Sequence, residues 1–247
     1  MSILTACSSE DKVKEVNQPV ELTISAAASL QDALEELKAT YEKEHNNIKI
    51  LYNFGGSGAL QQQISQGAPV DLFFSAAEDK FDTLVEKGII DQTQSTDLLT
   101  NELVLIVPKN NTKQILSFED LKKAEKIALG TPESVPAGKY SVETLNALQL
   151  WEDIKSKVVY TKDVRQVLTY TETENVDAGI VYQTDALSSE KVEVISTADD
   201  DTHTPIIYPV GIIKNSKYAK EAEDFYYFIQ SDEAMNIFIK YGFKGAQ

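Results

Sequence analysis

The sequence predicts an α/β protein of two domains, each a sheet flanked by helices. Three observations carry that prediction. Strand-like and helix-like runs alternate as β-α-β-α-β-α over residues 20–90. The second half uses the same device, a strand end feeding a helix through small residues or a cap. Two apolar strands, 103–108 and 206–213, break the alternation and read as crossings between the domains. The expected division is 20–101 plus 213–247 for the first domain and 102–212 for the second. Residues 1–19 read as a leader remnant and tether.

Taken in order, Val20, Leu22 and Ile24 alternate as a strand. Ala26-Ala27-Ala28-Ser29-Leu30 then opens a helix in which Leu30, Ala33, Leu34, Leu37 and Tyr41 share one face. Ser29 is the expected N-cap, with Asp32 three residues on. Ile48, Ile50 and Tyr52 form the next strand, followed by Phe54-Gly55-Gly56-Ser57-Gly58-Ala59-Leu60 and a helix through Ile64. Gln66-Gly67-Ala68-Pro69 breaks that helix. Val70 to Phe74 is a third strand. Ser75-Ala76-Ala77-Glu78 opens a helix carrying Phe81, Leu84 and Val85, stopped by Gly88.

In the second half, Phe118–Lys123 is a short helix and Lys126–Gly130 a strand. Thr131 to Gly138, TPESVPAG, leads into a helix with Pro136 near its first turn. The N–H groups of Ala137 and Gly138 are expected to be free donors there. Val158–Tyr160 is a strand, and Asp163 is the expected N-cap of a helix carrying Val167 and Leu168. Ala178-Gly179-Ile180-Val181-Tyr182 is a buried strand ending on a tyrosine, and Val192–Ile195 is another. Two helices close the chain, one with Ala222, Phe225, Tyr226 and Ile229, the other with Ala234, Ile237, Phe238 and Tyr241.

Composition narrows the functional classes. The 247 residues are 42% hydrophobic and 25% charged, the balance of a globular chain. No apolar run reaches the roughly eighteen residues a membrane-spanning helix needs. The 39 acidic residues against 23 basic ones give a net charge of −16, which argues against nucleic-acid binding. That field repels anions, so any anion site must be local. One cysteine, Cys7, excludes an internal disulfide. With only two histidines besides, His45 and His203, a zinc site of the usual kind is not expected. Leu4-Thr5-Ala6-Cys7 resembles a bacterial lipobox, in which the cysteine is lipidated and the polar stretch after it serves as tether.

The glycine stretch around Ser57 is the strongest local signal. It places glycines and one serine where a strand turns into a helix. The first N–H groups of a helix lack intrahelical partners, and the macrodipole makes that end electropositive. Glycine allows close approach, and a serine hydroxyl can cap or donate outward. The result is an anion cradle. No lysine follows, so it is not a nucleotide P-loop. Gly55-Gly56-Ser57-Gly58-Ala59 also misses the last glycine of a nucleophile elbow.

Ala26-Ala27-Ala28-Ser29-Leu30, Gly67-Ala68-Pro69-Val70-Asp71-Leu72, Val135-Pro136-Ala137-Gly138, Asp163-Val164-Arg165, Gly179-Ile180-Val181-Tyr182 and Tyr241-Gly242-Phe243 together resemble the molybdate-binding proteins of bacterial ABC importers. The resemblance covers about residues 20–245, in order. It implies a type II periplasmic-binding-protein-like fold: two domains, each a mixed, mostly parallel sheet flanked by helices, with two crossing strands as hinge. It implies that Ser29, Ser57, Ala137, Val164 and Tyr182 bind an oxyanion, the serines through hydroxyl and backbone N–H, Ala137 and Val164 through backbone N–H, and Tyr182 through its phenol. Gly56 and Gly58 stand where some relatives carry further serines.

The resemblance further implies a protein that delivers molybdate, and tungstate with it, to the membrane permease of an ABC importer. Molybdenum enters only as bound molybdate, with no protein ligand to the metal and no cofactor. A monomer is expected, on the outer face of the cytoplasmic membrane through a lipid on Cys7, or periplasmic if the leader is cleaved by another route. Two alternatives stand beside it: the same fold tuned to sulfate or another oxyanion, and a serine hydrolase built on Ser57, which needs a histidine base. A regulatory sensor would need a DNA-binding segment, and none is visible. Arg165, next to Val164, reads as one half of a surface or hinge ion pair rather than an anion contact.

Overall fold

The computed structural model describes residues 19–246, so Cys7 and the expected tether up to residue 18 lie outside it. The first run is β1 (Val20–Ala27), α1 (Gln31–Glu44), β2 (Ile48–Gly55), α2 (Ser57–Ser65), β3 (Leu72–Phe74), α3 (Glu78–Glu86) and β4 (Ile90–Thr100). The second is β5 (Leu103–Pro108), β6 (Ile127–Gly130), α4 (Pro136–Ala147), α5 (Trp151–Ile154), β7 (Val158–Thr161), α6 (Val164–Glu172), β8 (Ala178–Tyr182), α7 (Gln183–Leu187) and β9 (Val192–Thr197). The chain then returns through β10 (Ile207–Ile213), α8 (Ala219–Phe228), α9 (Asp232–Lys240) and β11 (Lys244–Gly245).

Two mixed sheets result, ordered β11-β4-β10-β3-β1-β2 and β7-β6-β8-β5-β9. β1 pairs in parallel with β2 and β3, and β6 with β7 and β8. β10 runs antiparallel to β3 and β4, and β5 antiparallel to β8 and β9. Each parallel strand is followed by a helix, so the carboxyl ends of these strands carry strand-to-helix turns in each lobe.

Local chemistry explains the helices. α1 buries Ala33, Leu34, Leu37 and Tyr41. α4 begins on Pro136, whose missing N–H costs nothing at a first helical position. α6 is capped as expected, the Asp163 carboxylate accepting from the Gln166 N–H at 2.8 Å. Ser231 caps α9 in the same way through the Ala234 N–H. Ser29 does not cap. A 3-10 turn, Ala28–Leu30, comes between β1 and α1, and Leu30 holds the cap position without a side-chain bond.

Two expectations are corrected. The boundary at residue 212 falls inside β10, whose residues pair with β3 and β4 in the first sheet. An apolar strand buried on both faces has the same composition in either sheet, so sequence cannot assign it. The chain passes between the sheets at residues 101 and 102, and again over 198–206. Pro209 sits at a register shift in β10, which accommodates a residue without an N–H. β4 was not expected at all. Its middle, Asp91 to Asp97, is polar and half-buried to exposed, and only its ends bury Ile90, Leu98 and Leu99.

Candidate functional site

One small cavity lies between the lobes. It is lined from the first lobe by Ala27, Ala28, Ser29, Gly55, Gly56, Ser57 and Ala76, and from the second by Val135, Pro136, Ala137, Val164 and Tyr182. All five residues singled out from sequence therefore face one space. They reach it from the turn after β1, the end of β8 and the first turns of α2, α4 and α6. The cavity is about 10 Å³, close to what a single water requires.

The polar side chains on its wall, Ser29, Ser57 and Tyr182, are hydroxyls, each able to donate. Ser57 is fully buried, and its Oγ accepts from the Ala76 N–H at 2.9 Å. That bond uses a lone pair and leaves the hydroxyl proton free to point into the cavity. Ser29 Oγ lies 2.9 Å from the Tyr208 hydroxyl. The Ala137 and Val164 N–H groups lie in first helical turns and have no acceptor among the described residues. Gly138 differs from expectation: its N–H bonds to the Val135 carbonyl at 2.9 Å and is not available.

Tyr182 completes the set. The residue is 1% exposed, and its hydroxyl has no hydrogen-bond partner among the described residues. Burial raises its pKa well above the ordinary value, so it stays a neutral phenol and a donor. A buried donor without an acceptor costs about 1–3 kcal/mol. At the wall of a cavity, that cost marks a place where something else accepts.

Three helix N-termini converge here, each roughly half a positive charge. Among the described residues no lysine or arginine lines the cavity. Arg165 is turned away. Its guanidinium donates to Asp32 of α1 at 2.8 Å and to Ser188 at 2.9 Å, and lies 3.7 Å from Asp185. The ion-pair reading from sequence holds, and the pair spans the two lobes. Asp185 is fully buried, and its pKa is pushed up to about 7 by burial, against the pull of Arg165 and of the Tyr182 N–H.

The lobes also touch around the cavity. The Gly58 N–H donates to the Ser134 carbonyl at 3.0 Å, and the Tyr140 hydroxyl to the Ala76 carbonyl at 3.4 Å. Sequence reasoning missed Ala76 and Tyr208. Ala76 lies in a strand-to-helix turn already visible as Ser75-Ala76-Ala77. Tyr208 is the one side chain with a polar tip in an otherwise apolar strand. Neither histidine lines the cavity. His45 stacks on Tyr41 with ring centroids 3.9 Å apart, and His203 bonds to the Thr204 carbonyl.

Fold and site together define a two-lobed protein that encloses a small ligand where helix N-termini meet. The chain belongs to the bacterial extracellular solute-binding protein family, whose match covers residues 22–244. It is 59% identical over 241 residues to "Putative ABC transporter substrate-binding lipoprotein YvgL" of Bacillus subtilis (strain 168), covering 98% of this chain and 93% of that one. It is 35% identical over 231 residues to the molybdate-binding protein ModA of Haemophilus influenzae, covering 90% and 89%. Among solved structures it matches the "substrate binding domain of putative molybdenum ABC transporter from Clostridium difficile". The TM-score there is 0.70 at 42% identity, over 92% of this chain and 100% of that one. The architecture is the type II periplasmic-binding-protein fold that the resemblance implied.

Proposed function

We propose that this protein captures molybdate, and tungstate with it, in the interlobe cavity and delivers it to the permease of an ABC importer. The observation that carries the reading is the Tyr182 hydroxyl, a buried donor without an acceptor among the described residues, on the wall of a cavity whose other polar side chains, Ser29 and Ser57, can also donate. Ser29, Ser57, Ala137, Val164 and Tyr182 are the ligand-binding residues. The relative named as molybdate-binding, 35% identical over most of both chains, supports the choice of anion.

Donor-only chemistry accounts for selectivity. Molybdate and tungstate are fully deprotonated at neutral pH and accept at every oxygen. Hydrogen phosphate brings an O–H that meets no acceptor, at a cost of about 1–3 kcal/mol. Sulfate carries the right charge but is smaller, and donors spaced for the larger ion reach it less well. The oxyanion is cargo, so no cofactor and no protein–metal bond are required.

The protein acts as a binder rather than a catalyst. Ser57 Oγ accepts from a backbone N–H, and no histidine lines the cavity to act as its base. It works as a monomer, held at the outer face of the cytoplasmic membrane by a lipid on Cys7. The lipobox-like residues and the relative named as a lipoprotein support that anchoring.

Calorimetric titration with molybdate, tungstate, sulfate and phosphate tests the reading. Tight binding of the first two with the others silent is the expected result. Tight sulfate or phosphate binding overturns the specificity. Silence from all four overturns the choice of ligand.

A further inference from the structure

The hydroxyl of Ser29 does not stand alone. Its oxygen lies 2.9 Å from the Tyr208 hydroxyl, and Tyr208 lies 3.1 Å from Asn101 Nδ2. Asn101 sits where the chain first passes between the sheets. Its orientation is set by its neighbours, because Oδ1 accepts from the Glu102 N–H at 2.9 Å. The amide end is therefore the nitrogen, and its two protons go to Thr184 Oγ1 at 2.9 Å and to Tyr208.

The direction of every bond in this chain follows. Asn101 can only donate to the Tyr208 oxygen. Burial raises the Tyr208 pKa well above its ordinary value, against the opposing effect of its bonds to Ser29 and Asn101, so the phenol keeps its proton. Asn101 Nδ2 cannot accept, and Ser29 Oγ at 2.9 Å is the acceptor within reach of that proton among the described residues, so the proton is assigned to Ser29 Oγ. Ser29 then accepts from Tyr208, and its own proton is left for the cavity. Ser57 is set the same way by the Ala76 N–H.

We propose that Tyr208, held by Asn101, is a positioning residue that orders the Ser29 hydroxyl as a donor to the bound oxyanion. Without it, the Ser29 hydroxyl turns freely and can also accept, so the site tolerates a ligand that carries a proton. Asn101 bonds to Thr184 of the second lobe and Tyr208 of the first, so this ordering is tied to the residues that join the lobes. The inference rests on the oxyanion-binding reading above.

The test is a double-mutant cycle read by calorimetric titration with molybdate, with phosphate as competitor. Tyr208→Phe is expected to weaken molybdate binding about five- to twentyfold and to narrow the ratio of molybdate to phosphate affinity. In a Ser29→Ala background the same substitution should change molybdate binding by less than about twofold, whereas in a Ser57→Ala background it should keep its effect. A merely structural tyrosine would act equally in both backgrounds, and that additivity overturns the proposal. So does Tyr208→Phe binding molybdate like the parent. If Tyr208→Phe does not fold, the cycle is run with Asn101→Ala, which leaves the phenol in place but free to turn. It should lose less affinity and show the same dependence on Ser29. A parent that binds neither molybdate nor tungstate overturns the oxyanion reading and the relay with it. A parent that binds well with an additive cycle overturns the relay alone.

Discussion

The Gly58 amide meets the Ser134 carbonyl at 3.0 Å across the cleft, and the approach leaves no room for a side chain. A Cβ at Gly58 would lie 2.8 Å from Ser134 Cα, and one at Gly56 would lie 2.6 Å from the Ser134 oxygen. The Gly58 N–H is thus spent on lobe contact, and the second lobe occupies the space where either glycine would carry a side chain. Gly58→Ala should hold the lobes apart without harming the first lobe, since alanine favours a helix over glycine by up to about 1 kcal/mol. The expected outcome is at least a tenfold loss of molybdate affinity, about 1.4 kcal/mol, with the ligand-free melting temperature unchanged or raised. Titration and melting curves on the same sample check it, and parent-like affinity would refute the latch.

Tyr182→Phe should move stability and binding in opposite directions. The phenol group is buried without a partner among the described residues, so removing its hydroxyl relieves an unsatisfied donor. The ligand-free protein is expected to gain up to about 1 kcal/mol, and molybdate binding to lose about 1–3 kcal/mol. Ser57→Ala should instead lose both, because the Ala76 N–H that Ser57 accepts from at 2.9 Å is left unpaired. Thermal melting with and without molybdate separates the two patterns. A Tyr182→Phe variant that melts earlier than the parent would show that the hydroxyl already has a partner.

The contrast between these positions shows what a sequence can carry. Ser57, Ala137 and Val164 each lie in the first turn of a helix that follows a strand, and small residues, a proline and a cap mark those turns locally. Parallel strands then bring such turns to one edge of each sheet, so cavity lining could be read without the structure. Hydrogen-bond direction could not. Ser29 looks like a helix cap beside Asp32, yet its oxygen faces Tyr208, which is 179 residues away. β10 reads as a crossing until β3 and β4 are seen on either side of it. β4 hides because a strand with a solvated middle has no apolar period to detect.

Arg165 ties the lobes and also protects a buried charge. Asp185 is 0% exposed, and the Arg165 guanidinium lies 3.7 Å from it. Above pH 7, where Asp185 is ionised, removing the arginine leaves that carboxylate without a counter-charge, so Arg165→Ala should cost about 1–3 kcal/mol. In an Asp185→Asn background the same change should cost clearly less, since the charge it screened is gone. Asp32→Ala breaks only the exposed half of the bridge and should stay within about 1 kcal/mol. Chemical denaturation of the four variants measures these differences. Equal costs of Arg165→Ala in both backgrounds would mean that Asp185 does not need the arginine.

Asp185 also predicts how stability follows pH. Its pKa rises on folding from an ordinary value of 3.8 to about 7, with burial as the main cause. Between those values the native state holds a proton that the unfolded chain has released. Stability contributed by this group is therefore highest in acid and falls as pH rises from about 4 to 7, with a slope of up to about 1.4 kcal/mol per pH unit. Above pH 7 both states are ionised and the slope vanishes. Asp185→Asn keeps an oxygen to accept from the Tyr182 N–H, bonded at 3.3 Å in the parent, and removes the titration. The difference in unfolding free energy between variant and parent should grow in the variant's favour from pH 4 to 7 and then level off. A difference independent of pH across that range would show that Asp185 is ionised throughout, held so by Arg165.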